Sequence, residues 1–212
     1  MTRIAILAVV VAVVACGLPD GGLAYAKAPK RCTPSPTKTV VRTSAAVRVL
    51  ELQSGKTRVC SRTTWKSRVL DPDPGSQHSI IEDIRDRYVA DQLFTTDRDG
   101  GFRVKVRVLD AARGRFVITR QAFTGSCCVY PATTHSTEGV RSAALGSDGS
   151  LAWISSRLHG DPELEVRYAA AGRKTDLLDV DASIDPTSIA VGSRDVYWRH
   201  ADGARSWAIP AE

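Results

Sequence analysis

The chain of 212 residues is 43% hydrophobic, 25% charged and 6% aromatic, and carries a formal net charge of +6. This balance excludes a multi-span membrane protein and an intrinsically disordered chain, and fits one ordinary globular domain. Its five cysteines form no C-x-x-C pair, which argues against a zinc ribbon and a thioredoxin-type redox site.

The N-terminus reads as an export address. Arg3 precedes a continuous apolar run from Ile4 to Ala15. Twelve residues are too few to cross a hydrocarbon layer of about 30 Å, but right for the apolar core of a signal peptide. Gly17, Pro19, Gly21 and Gly22 end any helix, and Ala24-Tyr25-Ala26 is an A-x-A cleavage site. Residues 1–26 are therefore expected to be a secretory signal peptide cleaved after Ala26, leaving a secreted or extracytoplasmic protein. Val13-Val14-Ala15-Cys16 resembles the lipobox of bacterial lipoproteins, and that resemblance implies an alternative: lipidation at Cys16 and membrane contact through that anchor alone.

Cleavage after Ala26 leaves Cys32, Cys60, Cys127 and Cys128, an even number suited to an oxidising compartment. Three pairings exist, and spacing does not choose among them. The favoured reading ties Cys32 and Cys60 each to one of the adjacent Cys127 and Cys128, as a structural staple; a vicinal Cys127–Cys128 bridge is the strained alternative.

Residues 27–38 read as a basic linker, with Pro29, Pro34 and Pro36 among Lys, Arg, Ser and Thr. Residues 39–212 follow as short apolar segments separated by turns, with no sustained helical period. Ile80–Asp91 comes closest to one, but its β-branched residues favour strand. An internal repeat organises this region. Arg48-Val49-Leu50-Glu51 with Gly55-Lys56 aligns at an offset of 59 residues on Arg107-Val108-Leu109-Asp110 with Gly114-Arg115. Val166-Arg167-Tyr168 with Gly172-Arg173 is a weaker third copy. Each reads as a β-hairpin with glycine where the turn needs positive φ. Arg87-Tyr88-Val89-Ala90, Ser150-Leu151-Ala152-Trp153 and Asp195-Val196-Tyr197-Trp198 mark a second recurrent strand, whose Tyr88, Trp153, Tyr197 and Trp198 are expected to fill the space between sheets. The predicted unit is four antiparallel strands, complete at 80–120 and 139–179 and partial at the first copy and at 187–208.

Tandem units of this kind resemble β-propeller blades. Gly146-Ser147-Asp148-Gly149-Ser150-Leu151-Ala152-Trp153-Ile154 resembles the blade motif of TolB-like propellers, without its proline; no WD dipeptide of WD40 blades is present. The resemblance implies an all-β fold of about three to four small blades, either closed through its partial ends or left as an open, curved stack. It implies fold rather than function.

Charge is unevenly placed. Residues 27–70 hold eleven basic residues against the single acid Glu51, a net of +10, whereas residues 71–212 hold 17 basic and 21 acidic, a net of −4. Lys56, Arg58 and Arg62 share strand parity opposite Val59, and with Lys66 and Arg68 they form a candidate basic patch for an anionic surface. Nucleic acid is the least favoured partner, because Trp65 is the one aromatic residue among these cations.

The sequence carries no recognisable catalytic or metal-binding signature. His78, His135, His159 and His200 lack ligand spacing, and there is no G-x-S-x-G elbow or glycine-rich phosphate loop. Asp71-Pro72-Asp73-Pro74-Gly75 and Asp97-Arg98-Asp99-Gly100-Gly101 read as turns rather than calcium loops. Trp65 and Trp207 fall outside the repeat register and are the candidates for stacking on a ligand such as a sugar. No catalytic residue, metal or cofactor is expected. The reading is a secreted or cell-envelope interaction module, not an enzyme, whose partner is a protein or an anionic envelope component. An extracytoplasmic hydrolase or sugar-binding protein with a site at the centre of the repeats is the alternative. A subunit that needs a partner or a second copy to complete its ring is the third.

The first residue of the exported protein checks the address. Mass spectrometry of the N-terminal peptide is expected to show Lys27 as the first residue, whereas a diacylated peptide beginning at Cys16 would reassign the protein as a lipoprotein.

Overall fold

The computed structural model describes residues 28–70, 77–96, 102–125, 139–156 and 163–211. The signal segment with Cys16, the Cys127-Cys128 pair and both Asp/Gly-rich segments lie outside the described residues. What is described is all-β, with one 3-10 turn at Lys30–Cys32.

Among the described residues fifteen strands form four sheets in chain order, each an antiparallel meander. The first sheet comprises β1 (Lys38–Thr43), β2 (Val47–Leu52), β3 (Thr57–Ser61) and β4 (Ser67–Val69). The second comprises β5 (Gln77–Arg85), β6 (Tyr88–Thr96), β7 (Phe102–Asp110) and β8 (Arg115–Gly125). The third comprises β9 (Val140–Leu145), β10 (Leu151–Ser156), β11 (Leu164–Ala169) and β12 (Asp176–Asp181). The last has three strands, β13 (Ala190–Val191), β14 (Asp195–His200) and β15 (Gly203–Ala208). The Ile80–Asp91 region is strand, as expected, broken by a turn at Asp86 with φ 51°.

The repeat glycines do what their spacing predicted. Gly55, Gly114 and Gly172 sit in hairpin turns at φ 75°, 71° and 75°. The repeat and the sheets are out of phase, however. The matched hairpin is β2–β3 in the first sheet but β7–β8 and β11–β12 in the next two. The first sheet therefore holds a fourth strand, β4, that the repeat does not announce, and it is complete rather than partial.

Burial explains why the middle strands are apolar on both faces. Leu151 and Trp153 on β10 pack toward the second sheet, and their neighbours Ala152 and Ile154 toward the fourth. On β7, Val106 and Val108 face the third sheet while Leu109 faces the first. Three core clusters thus join sheets one and two, two and three, and three and four. Among the described residues no core cluster joins the fourth sheet to the first, so the blades form an open stack.

First strands of successive sheets are neighbours, as in a propeller. Arg42 donates to the Glu82 carbonyl (2.9 Å), and Arg85 donates to the carbonyls of Leu145 (2.8 Å) and Val191 (2.9 Å). Between the first two sheets lies a buried ion pair of Arg107 with Asp91. Arg107 also donates to Ser79 Oγ (3.0 Å) and the Leu70 carbonyl (3.3 Å), and its guanidinium lies 4.5 Å from the centre of the Phe116 ring.

The aromatic expectations need two corrections. Tyr88, Trp153 and Trp198 fill inter-sheet space, but Tyr197 is 45% exposed, because adjacent residues on β14 point to opposite faces. Trp207, outside the repeat register and a candidate for ligand stacking, packs partly buried against the core, 5.4 Å from Tyr168.

Sterics require a glycine in the 146–154 segment. Gly149 sits at φ 85°, and a Cβ added there would lie 2.6 Å from Cε1 of Tyr88 in the preceding sheet. Gly149→Ala is expected to lose about 3 kcal/mol from strain and overpacking together, a fall of roughly 10 °C in Tm. Gly172, at φ 75° with open space around its Cα, is the control. Its alanine variant should lose only about 1 kcal/mol. Equal losses in a thermal melt would refute the packing role of Gly149.

Candidate functional site

The first sheet buries Val47, Val49 and Val59 against the second sheet and turns its other face outward. Cross-strand register fixes what that outward face carries. Arg58 stands between Leu50 and Val69, and Cys60 between Arg48 and Ser67. The opposition of Arg58 to Val59 is the one the strand parity predicted.

Cys60 is bonded to Cys32, with a Cα–Cα distance of 5.8 Å. This corrects the expected ties from Cys32 and Cys60 to the Cys127-Cys128 pair. The cause is local: the 3-10 turn, closed by Cys32 N–H to the Pro29 carbonyl at 2.8 Å, brings Cys32 onto the face of β3. Arg48 fixes it there by donating to the Cys32 carbonyl (3.0 Å). Cys32, Leu50 and Cys60 form a small buried cluster against which Trp65 packs, so Trp65 is a packing residue at this end of the sheet.

The disulfide carries Arg31 onto the same face. Arg31, Lys38 and Arg58, with Thr37, Leu52, Gln53 and Ser54, line a shallow depression of about 630 Å³. Among the described residues no carboxylate lines it. Lys38 Nζ donates to the Lys30 carbonyl (2.6 Å), which tethers it at the rim. Arg58 is half-buried, and its Nε is shut off from solvent without a hydrogen-bond partner. Glu51, the acid nearest in sequence, lines an adjoining depression instead.

The other members of the predicted patch go elsewhere. Lys56 is half-buried at the β2–β3 turn, and Arg62 lies past the end of β3, donating to the Ser44 carbonyl (3.0 Å). The Lys66 stem runs beside Gly114. Arg68 turns to the second sheet, donating to the Gly114 carbonyl (3.2 Å) with its guanidinium 4.8 Å from the centre of the Phe116 ring. The structure therefore joins Arg58 to Arg31 and Lys38 and separates it from Arg62, Lys66 and Arg68. Arg31 and Lys38 were hidden because they fall in residues 27–38, read as linker.

A second constellation escaped sequence reading because its members lie on β12, the following turn and β14. Ser183 Oγ lies 3.0 Å from His200 Nδ1, and His200 Nε2 lies 2.7 Å from Asp179 Oδ2, which also accepts from Trp198 Nε1 (2.7 Å). Ser183 also bonds Asp181, through its side chain and its N–H, and these bonds hold the Asp181 carboxyl below the usual carboxylate range. Asp185 is lowered likewise by the Thr187 N–H and hydroxyl. The arrangement ties the end of the third sheet to the fourth. A third depression, of about 560 Å³ between the turns of sheets three and four, sets Asp148 and Asp195 among Arg173, Arg194 and Tyr168. Among the described residues no group of three His, Cys, Asp or Glu side chains is placed to hold a metal ion.

The fold is that of a small, all-β, propeller-like stack of antiparallel sheets. No family model and no curated protein matches the sequence. Similar solved structures include Atg21 in a complex with the coiled coil of Atg16, at 13% identity and a TM-score of 0.44 over 82% of this chain and 53% of that one. The computationally designed protein Ika8 is similar at 15% identity and a TM-score of 0.41, over 81% of this chain and 46% of that one. PorZ, a surface component of the type-IX secretion system of Porphyromonas gingivalis, is similar at 15% identity and a TM-score of 0.33, over 76% of this chain and 19% of that one. The chain thus spans about half the length of the first two.

Because the two carboxyls are lowered on folding, their hold on the 181–188 turns is full above the ordinary value of 3.8 and is lost as pH falls through the lower folded pKa values. The amide resonances of Ser183 and Thr187 are expected to shift together with that protonation. Asp185→Asn should abolish the Thr187 transition and leave that of Ser183. A Thr187 transition persisting in the variant would contradict the assignment.

Proposed function

We propose that the protein is a non-enzymatic interaction module, secreted or held at the cell envelope, that docks an anionic envelope component on the outward face of its first sheet. The observation that carries this reading is the gathering of Arg31, Lys38 and Arg58 around one depression, with no carboxylate among its described lining residues. Two guanidinium groups and an ammonium among the lining residues supply positive charge and hydrogen-bond donors for an anionic acceptor brought from outside. The excess of +10 over residues 27–70 supplies a longer-range field toward the same end. The Cys32–Cys60 disulfide suits an oxidising compartment, and among the described residues no helix is long and apolar enough to cross a membrane.

The hydrolase reading has one observation in its favour, the Ser183–His200–Asp179 chain. Labelling of Ser183 by a fluorophosphonate would move the function to that site. The docking reading expects no label there.

Co-sedimentation with cell envelopes across a salt series tests the docking. Retention at low salt should vanish by about 0.5 M, where the Debye length is only a few ångströms. Arg58→Glu, a reversal of two charge units, is expected to weaken retention by about 2 kcal/mol, roughly thirtyfold. Arg205→Glu on exposed β15, where Arg205 pairs with Asp202, should leave it unchanged. Retention that ignores Arg58→Glu would overturn the reading.

A further inference from the structure

We propose that the free edge of β15 is an interaction surface, and that it is taken by β15 of a second copy of this chain in a two-fold antiparallel pairing. An unpaired strand edge offers a row of N–H and C=O groups, and folded proteins blunt such edges with bulges, short strands, proline or lysine. Among the described residues every other strand that ends a sheet is blunted. β4 has three residues and β13 two. Pairing skips Val41 on β1, Glu82 on β5, Val117 and Ala122 on β8, Arg141 on β9 and Leu178 on β12. β15 runs for six residues in unbroken register, holds neither proline nor lysine, and is exposed over most of its length. It also takes the third place in its sheet, at which β3, β7 and β11 are paired on both sides.

The phase of the ladder identifies the free groups. His200 opposes Gly203 across the two-residue turn of Ala201 and Asp202, so these two exchange hydrogen bonds, and the alternation carries through Arg205 to Trp207. The Ile209 N–H, which donates to the Arg194 carbonyl (2.7 Å), keeps the same phase. The N–H and C=O of Ala204, Ser206 and Ala208 therefore point away from β14. The small side chains of these three let a neighbouring backbone approach.

Self-complementarity selects the occupant. A second β15 must set these alternate residues against one another. A two-fold axis at Ser206 puts Ser206 against its own copy, Ala204 against Ala208 and Arg205 against Trp207. An axis at Arg205 would oppose two guanidinium groups. An axis at Trp207 would put Pro210, which has no N–H, against Ala204. In the Ser206 register the row of Asp195 and Ala208 on one copy continues through Ala204 to Arg199 on the other, so unlike charges share each of the two symmetric rows. The join uses no residue of the first sheet and is independent of the docking reading.

Sedimentation equilibrium of the purified, disulfide-bonded protein over a range of concentrations tests the pairing, and a reversible monomer–dimer equilibrium is expected. Ser206→Pro removes the outward N–H and leaves the β14–β15 ladder whole. It should raise the dimer dissociation constant by about tenfold, two ladder bonds being lost per dimer. Ser206→Cys should oxidise to a covalent dimer linked at position 206 in both copies, because a hydrogen-bonded antiparallel pair stands about 5.5 Å apart at Cα, within the reach of a disulfide. Ala204→Cys, on the same edge but opposite Ala208, should not. A protein monomeric at every concentration, a dimer indifferent to Ser206→Pro, or covalent dimers linked through Ala204→Cys would overturn the proposal. Should Ser206→Pro unfold, the linkage found for Ser206→Cys and Ala204→Cys decides alone.

Discussion

The structure depends on the burial of one sheet face against the next. A sheet inside a stack must be apolar on both faces, and a sheet at the end on one. This chain obeys that constraint strand by strand. The buried run Leu151-Ala152-Trp153-Ile154 serves two interfaces at once, while β14 alternates between buried Val196 and Trp198 and exposed Tyr197. Apolar burial of this kind is the largest favourable contribution to such a fold. It fixes strand register too, because a slip by one residue would exchange the two faces.

An open stack has two terminal faces, and the two here are unlike. The face of the fourth sheet carries exposed Tyr197 and small or polar neighbours along β15. The face of the first is built: a disulfide, a short 3-10 turn and the Arg48 bond to the Cys32 carbonyl fasten a segment across it, and cations gather there. Cross-linking Cys32 to Cys60 removes chain entropy from the unfolded state worth about 3 kcal/mol in the simplest model. The same bond, together with the Arg48 bond to the Cys32 carbonyl, holds the turn that carries Arg31 against the sheet.

Much of the architecture was legible because turns and strands leave local marks. Positive φ demands glycine, so Gly55, Gly114 and Gly172 betrayed three hairpins at near-equal spacing, and apolar runs betrayed the strands between them. What the residues did not reveal depends on long-range placement. Nothing near Ser67–Val69 distinguishes a fourth strand from loop, since β4 pairs through its backbone and buries little of itself. Prolines at 29, 34 and 36 read as linker, yet a single covalent bond at Cys32 folds that segment onto the sheet. Strand parity placed Arg58 opposite Val59 correctly, but it ceases to apply at Arg62, beyond the end of β3. Ser183, His200 and Asp179 met only through the packing of the last two sheets.

The central claim is that the outward face of the first sheet, and not the exposed Tyr197 face at the other end, meets the partner. Arginine footprinting with phenylglyoxal in the presence and absence of cell envelopes tests it most directly. The account predicts that Arg31 and Arg58 become protected while Arg68 and Arg205 react as before. Protection confined to Arg199 and Arg205 near the fourth sheet, or to none of these arginines, would contradict it.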